Sequence, residues 1–315
     1  MRIASLLPSA TEMVCAVGAR DELVGISHEC DFPIGVDVLP ALTRTRQSMP
    51  RTSGEIDKTV RAILTDAIAV YEVDVELMRT ANPDVIVTQD LCDVCAVSID
   101  DVRRVMQELA NKDVEIVSLK PLRLEDIWED VRRVGRALGR EQQAVQAAQG
   151  MIDRVQAIGV RSQAIPGPRP KVLTIEWLDP IMVGGLWMPQ LVELAGGEAL
   201  VTKIGEHAPT LDLEALAALD PDVVLIKPCG FGLERTKKEL PLLQSMLPWD
   251  SWSAVQDGRV YLTDGNAYFN RPGPRLVESL EILAACTHPK TFVDFTKKHA
   301  ASLFVVGADL SVSQA

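Results

Sequence analysis

The chain has 315 residues, of which 47% are hydrophobic and 24% are charged, and its formal net charge is −12 at pH 7. This composition is typical of a globular protein and is too apolar for a disordered chain. The acidic balance argues against nucleic-acid binding, because neutralising phosphates requires a basic face. No stretch reaches the roughly 18 consecutive apolar residues of a membrane helix, so we expect none that spans the membrane.

The N-terminus predicts a strand over residues 3–7 and a helix from Ala10 to about Val17. Gly18 follows this helix, and glycine just past a helix end favours the left-handed cap. No charged segment followed by an apolar one precedes the strand, although a classical export signal has that pattern. As written, the sequence therefore predicts a cytoplasmic protein; an incomplete N-terminus would instead permit a periplasmic or extracellular one.

One segment is written twice: residues 74–87 read DVELMRTANPDVIV and residues 212–225 read DLEALAALDPDVVL. Glu214 and Pro221 each follow their counterparts, Glu76 and Pro83, by 138 residues. In both copies a proline ends a short helix, and an apolar run typical of a buried parallel strand follows. The fold class is therefore α/β, and we expect two similar lobes with a ligand cleft between them. The alternative is one sheet that contains both strands.

The repeat extends beyond this unit. Residues 171–197 follow the order of the N-terminus, with a strand over 171–176, a loop, and a helix from about Met188 to Ala195. Two glycines, Gly196 and Gly197, then end that helix. Two matches in the same order strengthen the prediction of two lobes.

The segment from Leu124 to about Val160 has apolar residues at helical spacings of three and four. Gly135 and Gly139 weaken this pattern, which leaves two helical segments or one long helix with a soft joint. We therefore expect lobes over residues 1–123 and 168–287, joined by a long helical connector over 124–167. A C-terminal tail over 288–315 receives no structural assignment.

The chain has six cysteines, and some of them follow predicted strands. Cys92 and Cys95 form a CxxC pair, and His28 with Cys30 could complete a Cys3His site for zinc, with iron as a second metal. Structural packing and a redox pair are the alternatives for these thiols. His28 alone could be an axial cobalt ligand or could be hydrogen-bonded to a loop carbonyl.

The opening segment SLLPSATEMVCAVGARDELVGISHECDFP resembles the cobalamin- and siderophore-binding proteins of ABC importers, which have a helical backbone between two lobes. The similarity continues through NPDVIVTQD, WLDPIMVGGLWMPQLVELAGG, DPDVVL and YFNRPGPRLVESLEIL, to about residue 285. The order and spacing of these segments carry the resemblance. The Cys-rich segments QDLCDVCAVS and SHECDFP look typical of a subgroup of relatives, often without signal peptides.

The resemblance implies that a ligand binds in the cleft, at loops that follow the strands. In the first lobe the implied contacts are His28, Glu29, Cys30, Tyr71, Gln89, Asp90 and Cys92. In the second lobe they are Trp177, Asp179, Gly185, Trp187, Phe231, Tyr268, Asn270 and Arg271. Aromatic rings suit the apolar faces of a corrin, while polar side chains suit its fringe of amides.

The resemblance also implies a partner, because in importer-linked relatives an exposed glutamate on each lobe docks to the permease. Glu76 and Glu214 occupy the matching positions, and simple solvation of both is the alternative. The vitamin B12-binding members have Trp where this chain has Tyr71 and Gln89. The ligand is therefore expected to be cobalamin or another corrinoid, with cobinamide, heme, a siderophore or a metal ion left open.

Enzyme motifs are absent from the sequence: there is no GxGxxG, Walker A loop, HExxH or GxSxG. We therefore expect a monomeric binding protein rather than an enzyme, acting in the uptake, salvage or handover of a small molecule. The alternative is a metal-binding protein or metalloenzyme that uses His28, Cys30, Cys92 and Cys95.

Overall fold

A computed structural model describes residues 1–46, 49–65, 70–90, 97–108 and 114–315. The chain divides into two compact units. The first comprises Met1–Arg51, Glu55–Pro121 and Glu125–Ile152; the second comprises Thr52–Gly54, Leu122–Leu124 and Asp153–Ala315. In the described part of the chain, every helix is too short or too polar to cross a bilayer.

The strands of the N-terminal half are β1 (Ile3–Ser5), β2 (Leu23–Ile26), β3 (Thr43–Thr45), β4 (Tyr71–Val73), β5 (Val85–Gln89) and β6 (Glu115–Leu119). The helices of this half are α1 (Pro8–Ala16), α2 (Ser53–Thr65), α3 (Val75–Ala81), α4 (Ile99–Glu108), α5 (Leu124–Ala137) and α6 (Glu141–Gln163).

The strands of the C-terminal half are β7 (Lys171–Leu178), β8 (Ile181–Val183), β9 (Glu198–Ala199), β10 (Val223–Ile226), β11 (Val260–Thr263), β12 (Leu303–Val306) and β13 (Val312–Gln314). The helices are α7 (Met188–Leu194), α8 (Leu213–Ala217), α9 (Leu233–Met246), α10 (Ser253–Gln256), α11 (Leu276–Thr287) and α12 (Val293–Lys298).

The first unit is built on a parallel sheet in the order β2–β1–β5–β6. Its inner strands, β1 and β5, are buried along their whole length. Fully burying one of their aliphatic side chains contributes about 1.5–3 kcal/mol, which is why near-continuous Val and Ile runs form such strands. A short antiparallel pair, β3 and β4, completes the described strands of this unit.

The second unit is built on a mixed sheet in the order β13–β12–β11–β10–β7–β8. Strand β10 lies between β7 and β11 and is parallel to both. The residues after Thr287, to which the sequence assigned no structure, form α12 and two antiparallel strands that extend this sheet beyond β11.

The two copies of the repeat lie in different sheets, since β5 belongs to the first and β10 to the second. This confirms the predicted α/β fold with two similar units and rejects the single-sheet alternative. Each copy also anchors its strand in the same way. Asp84 Oδ2 accepts the Arg2 backbone N–H at 2.7 Å, and Asp222 Oδ2 accepts the Lys171 backbone N–H at 2.7 Å.

The turns that precede β5 and β10 have the same backbone conformation. Asp74 and Asp212 accept a backbone N–H of their own helix as N-caps. Asn82 (φ 40°) and Asp220 (φ 39°) then adopt the left-handed conformation that short polar side chains tolerate. The repeated letters therefore specify the same cap, turn and strand anchor in each unit.

The predicted helical segment is divided into α5 and α6 by a break at Gly139, whose φ is 64°. This conformation suits glycine and ends α5. Gly135 has a different role, because a Cβ atom there would lie 2.1 Å from the Ala144 Cβ. The two glycines thus produce separate helices rather than one helix with a soft joint.

A buried carboxylate joins the C-terminal segment to the rest of the second unit. Glu281 of α11 receives hydrogen bonds from Arg154 (2.8 Å), Lys298 (2.7 Å) and the His299 ring (2.7 Å). Burial by itself would raise the pKa of Glu281, but these three partners lower it to about 2. The cluster therefore favours the ionised carboxylate and holds α12 against α11.

The stability of the second unit should fall in acid because of Glu281. Its pKa is lowered on folding from an ordinary value of 4.5, so its stabilising contribution is present above that value and is lost as the pH falls towards 2. We expect a loss of about 2–3 kcal/mol across this window, measured by urea unfolding at each pH. Glu281→Gln should be less stable at neutral pH and should lack most of this slope.

The matched control is Glu278→Gln on the same helix, since Glu278 bonds only to Arg154 among these partners. It should retain the acid slope. An unchanged slope in Glu281→Gln would contradict the assignment.

Candidate functional site

The carboxyl ends of parallel strands meet at one edge of a sheet, where α/β proteins present their loops to ligands. In the first unit, residues 27–30 follow β2 and residues 89–90 end or follow β5. The structure brings two of the predicted residues together: the rings of His28 and Tyr71 lie 5.0 Å apart, edge to face. Both side chains are half-buried.

Hydrogen bonds fix the orientation of the His28 imidazole. Thr43 Oγ1 donates its hydrogen to Ser27 Oγ (3.0 Å) and lies 2.7 Å from His28 Nδ1. Because a hydroxyl has one hydrogen, His28 Nδ1 must carry the proton and donate it to Thr43. In the neutral ring Nε2 therefore holds the lone pair. Nε2 is covered from solvent, lies 3.3 Å from Glu29 Oε1 and makes no hydrogen bond with the described residues.

Cys30 is a buried residue of the first unit rather than an exposed thiol. Its Sγ lies 3.1 Å from Thr11 Oγ1 of α1, and Thr11 also bonds to Ser5 Oγ at the end of β1. The thiol thus belongs to a polar network under the first turns of α1.

The β5 end carries the other predicted residues of this unit. Gln89 is buried, whereas Asp90 is exposed and lies 3.9 Å from Lys120 Nζ. Cys92 and Cys95 lie outside the described residues, so the predicted Cys/His metal site stays a prediction. Within the described ranges, no three His, Cys, Asp or Glu side chains group as metal ligands.

Two residues that the sequence reasoning missed lie at the same sheet edge. Ser9 in the first turn of α1 and Thr88 near the end of β5 are both buried. Their hydroxyl oxygens make no hydrogen bond with any described residue. Buried hydroxyls normally have a partner, so these two mark this edge as a polar region.

In the second unit, Trp177 at the end of β7 is half-buried and lies edge to face with Phe231, at 5.1 Å. Its indole N–H donates to the Asp179 carbonyl at 3.1 Å. Phe231 is buried, and the Arg235 guanidinium covers its ring at 3.7 Å. Burial lowers the pKa of Arg235, partly offset by Glu239. Trp177 is therefore the accessible ring of this pair.

Trp187 and Gly185 have internal contacts that the sequence did not anticipate. Trp187 is buried, and its indole N–H donates to the Phe269 carbonyl at 2.8 Å. A Cβ atom on Gly185 would lie 2.4 Å from the Ala208 backbone nitrogen. Trp187 thus joins its loop to the loop after β11, and Gly185 permits the close approach of the Ala208 backbone.

The loop after β11 carries the remaining predicted residues. Tyr268 is half-buried, with the His299 ring edge-on at 6.3 Å and the Arg275 guanidinium at 5.9 Å. Arg271 is buried and donates from Nη2 to Asn266 Oδ1 at 2.9 Å. Tyr268 and Trp177 are thus the two predicted aromatic side chains of this unit that are not fully buried.

A buried lysine lies at the centre of this loop cluster, and the sequence reasoning missed it. Lys227 is the first residue after β10 and has no exposed side-chain surface. Its ammonium donates to Glu176 Oε2 at 2.7 Å and to Asn270 Oδ1 at 2.9 Å. A charged residue directly after the apolar run VVLI was the only sequence signal for it.

Two cavities of the second unit lie elsewhere. One of about 500 Å³ is lined by Arg169, Glu193, Glu198 and Lys203 among others, and one of about 210 Å³ is lined by Arg169 and His288 among others. Arg169 precedes the first residue of β7, so both cavities lie at the amino end of that strand. The larger one is lined by charges of both signs, and neither lining has a benzene or indole ring, unlike a typical organic-ligand pocket.

Comparison with known proteins decides the family. A family model described as periplasmic binding protein matches residues 3–267. The chain belongs to the periplasmic binding protein family. The predicted relationship to the substrate-binding proteins of ABC importers is thereby confirmed.

Its curated relatives are distant but match most of the chain. An uncharacterized ABC transporter substrate-binding lipoprotein, YvrC of Bacillus subtilis, is 23% identical over 92% of this chain and 81% of its own length. A cobalamin-binding protein of Halobacterium salinarum is 24% identical over 92% of this chain and 70% of its own length.

Solved structures share the fold. A periplasmic heme binding protein from Pseudomonas aeruginosa has a TM-score of 0.68 and 22% identity, over 92% of this chain and 93% of its own. The periplasmic vitamin B12 binding protein BtuF of Vibrio cholerae has a TM-score of 0.63 and 18% identity, over 94% and 98%. The expected cytoplasmic location gains no support from these relatives.

In this periplasmic binding protein, the two predicted docking glutamates are exposed. Glu76 lies in the first turn of α3, and its carboxylate bonds to Arg79 at 2.6 Å. Glu214 lies in the first turn of α8. Both carboxylates are therefore open to solvent at matching positions of the repeat.

Proposed function

We propose that this protein binds a corrinoid, cobalamin or a close relative of it, and delivers it to an ABC importer without chemical change. The observation that carries this proposal is the loop cluster after β7, β10 and β11. It combines partly exposed aromatic rings, Trp177 and Tyr268, with an ordered set of polar groups. Relatives that are named cobalamin-binding support the choice of ligand.

Heme is the second candidate. Structures named heme-binding share the fold, and the first unit places an imidazole and a phenol side by side in His28 and Tyr71. Both side-chain types ligate heme iron in proteins. The flat apolar faces of heme would also suit Trp177 and Tyr268. A binding measurement that compares heme with corrinoids therefore distinguishes the two candidates.

We further propose that Glu76 and Glu214 dock to the permease and that the protein acts, as a monomer, outside the cytoplasmic membrane. Relatives named periplasmic or lipoprotein support this location. Exposed carboxylates suit a partner with basic side chains, because complementary charges speed encounter and fix orientation.

The ligand is tested by calorimetric and spectral titration with cyanocobalamin, dicyanocobinamide and hemin. We expect a corrinoid Kd of about 1 µM or tighter, equivalent to roughly 8 kcal/mol. Trp177→Ala should weaken this binding by about 1 kcal/mol, because the ring would lose its packing on the corrin face. Phe295→Ala, on α12, is the matched control and should bind like the wild type. No heat and no spectral change with either corrinoid would reject the proposal.

The Cys/His alternative is tested by metal analysis of protein purified without chelators. We expect metal-free protein that still binds corrinoid, because Cys30 already contacts Thr11 and a corrinoid site needs no metal cluster. Stoichiometric zinc or iron that disappears in Cys92→Ser would favour the metal site instead.

Docking is tested by adding purified protein and ligand to the outer face of vesicles that contain the partner importer. Replacing both Glu76 and Glu214 with Ala should reduce uptake at least tenfold while leaving ligand affinity unchanged, because the lost charges face the permease. The matched control replaces Glu141 and Glu234, which are exposed glutamates on other helices. Equal uptake by both double variants would argue against these docking positions.

A further inference from the structure

The Lys227 ammonium connects the end of β7 with the loops after β10 and β11 in the second unit. It bonds to Glu176 near the end of β7 and to Asn270 in the loop after β11, while Lys227 itself follows β10. Its side chain has 0% exposure, whereas that of Glu176 has 27%. The lysine therefore acts from inside the unit, and the glutamate is the partner that a ligand can reach.

Asn270 has no free donor to offer a ligand. An ammonium can only donate, so the amide oxygen of Asn270 must face Lys227, which fixes the orientation of the amide. Both amide hydrogens are then used within the unit, on the Lys227 carbonyl (3.0 Å) and the Gly265 carbonyl (2.8 Å). Gly265 lets its loop approach the backbone that follows β10, because a Cβ atom there would lie 2.0 Å from the Pro228 oxygen.

The Glu176 carboxylate, in contrast, has acceptor capacity left. Lys227 occupies Oε2, and no described residue donates a hydrogen bond to Oε1. The ion pair has no net charge, so it exerts little pull on an anionic ligand. What remains is an oriented acceptor at the same strand ends that carry the two half-buried aromatic residues, Trp177 and Tyr268.

We propose that Glu176 determines ligand specificity by accepting a hydrogen bond from a primary amide N–H of the ligand, with Lys227 as the positioning residue. This inference rests on the proposed corrinoid function. The amide groups at the fringe of a corrin are neutral donors and match a carboxylate acceptor. The propionates of heme are also acceptors, so opposite Glu176 neither carboxylate would have a hydrogen to share.

The test compares dicyanocobinamide with hemin on Glu176→Gln, Lys227→Met and the double variant. Glu176→Gln should weaken dicyanocobinamide binding about tenfold, the amount expected for loss of a charge-assisted hydrogen bond. The same change should leave hemin binding unchanged or tighten it, because a glutamine amide can donate to a propionate. Lys227→Met should weaken dicyanocobinamide binding as well, since it releases the orientation of Glu176.

The double variant, Glu176→Gln with Lys227→Met, distinguishes an effect on folding stability from an effect on ligand specificity. Glu176→Gln alone leaves a buried ammonium without its counter-charge, which destabilises the fold. Adding Lys227→Met removes that charge and should restore much of the lost thermal stability without restoring affinity for dicyanocobinamide. Glu234→Gln on α9, which removes an exposed glutamate–lysine pair, is the matched control and should change neither affinity.

The outcomes distinguish the two proposals. Equal weakening of both ligands, or unchanged dicyanocobinamide binding in Glu176→Gln, would overturn the role of Glu176 alone. Wild-type protein that binds neither corrinoid nor hemin would overturn the proposed function and this inference together. Wild-type protein that binds only hemin, with tighter binding in Glu176→Gln, would retain the discrimination against carboxylates and overturn the corrinoid assignment.

Discussion

The strand ends of the second unit depend on the hydrogen bonds of the buried Lys227 ammonium. Moving a charge out of water costs several kcal/mol unless it is paired and hydrogen-bonded, so Lys227 requires its partners at fixed positions. Those partners come from two other places: Glu176 lies near the end of β7 and Asn270 lies in the loop after β11, where it also holds the Gly265 backbone. The solvation requirement of one side chain thus fixes the end of β7 relative to the loops that follow β10 and β11.

The fold could be predicted from the sequence because its signals are local and written twice. The cap, turn and proline that precede β5 recur before β10, and each copy specifies its strand within a few residues. The helix ends at Gly18 and Gly196 were predictable for the same reason, since both glycines adopt positive φ. The break at Gly139 was harder to predict, because a glycine within a helical pattern can either end a helix or permit close packing.

The site could be predicted only as a set of loops. Trp177 and Tyr268 were identified from a family resemblance, but the internal role of Trp187 depends on its hydrogen bond to the Phe269 carbonyl, 82 residues away. Lys227 and Glu176 are 51 residues apart, and Lys227 and Asn270 are 43 apart. Such pairs depend on strand order in the folded sheet. The structure of the segment after Thr287 was likewise missed, because its strands need β11 as a partner.

Amide hydrogen exchange, measured with and without dicyanocobinamide, tests whether the ligand binds at the carboxyl ends of β7, β10 and β11. Ligand contact should slow exchange in the loops at residues 227–232 and 264–271 and around Trp177. The cavities at Arg169 lie at the amino end of β7 and should exchange at the same rate in both states. Protection concentrated around Arg169, with none in the strand-end loops, would rule out a ligand site at these strand ends.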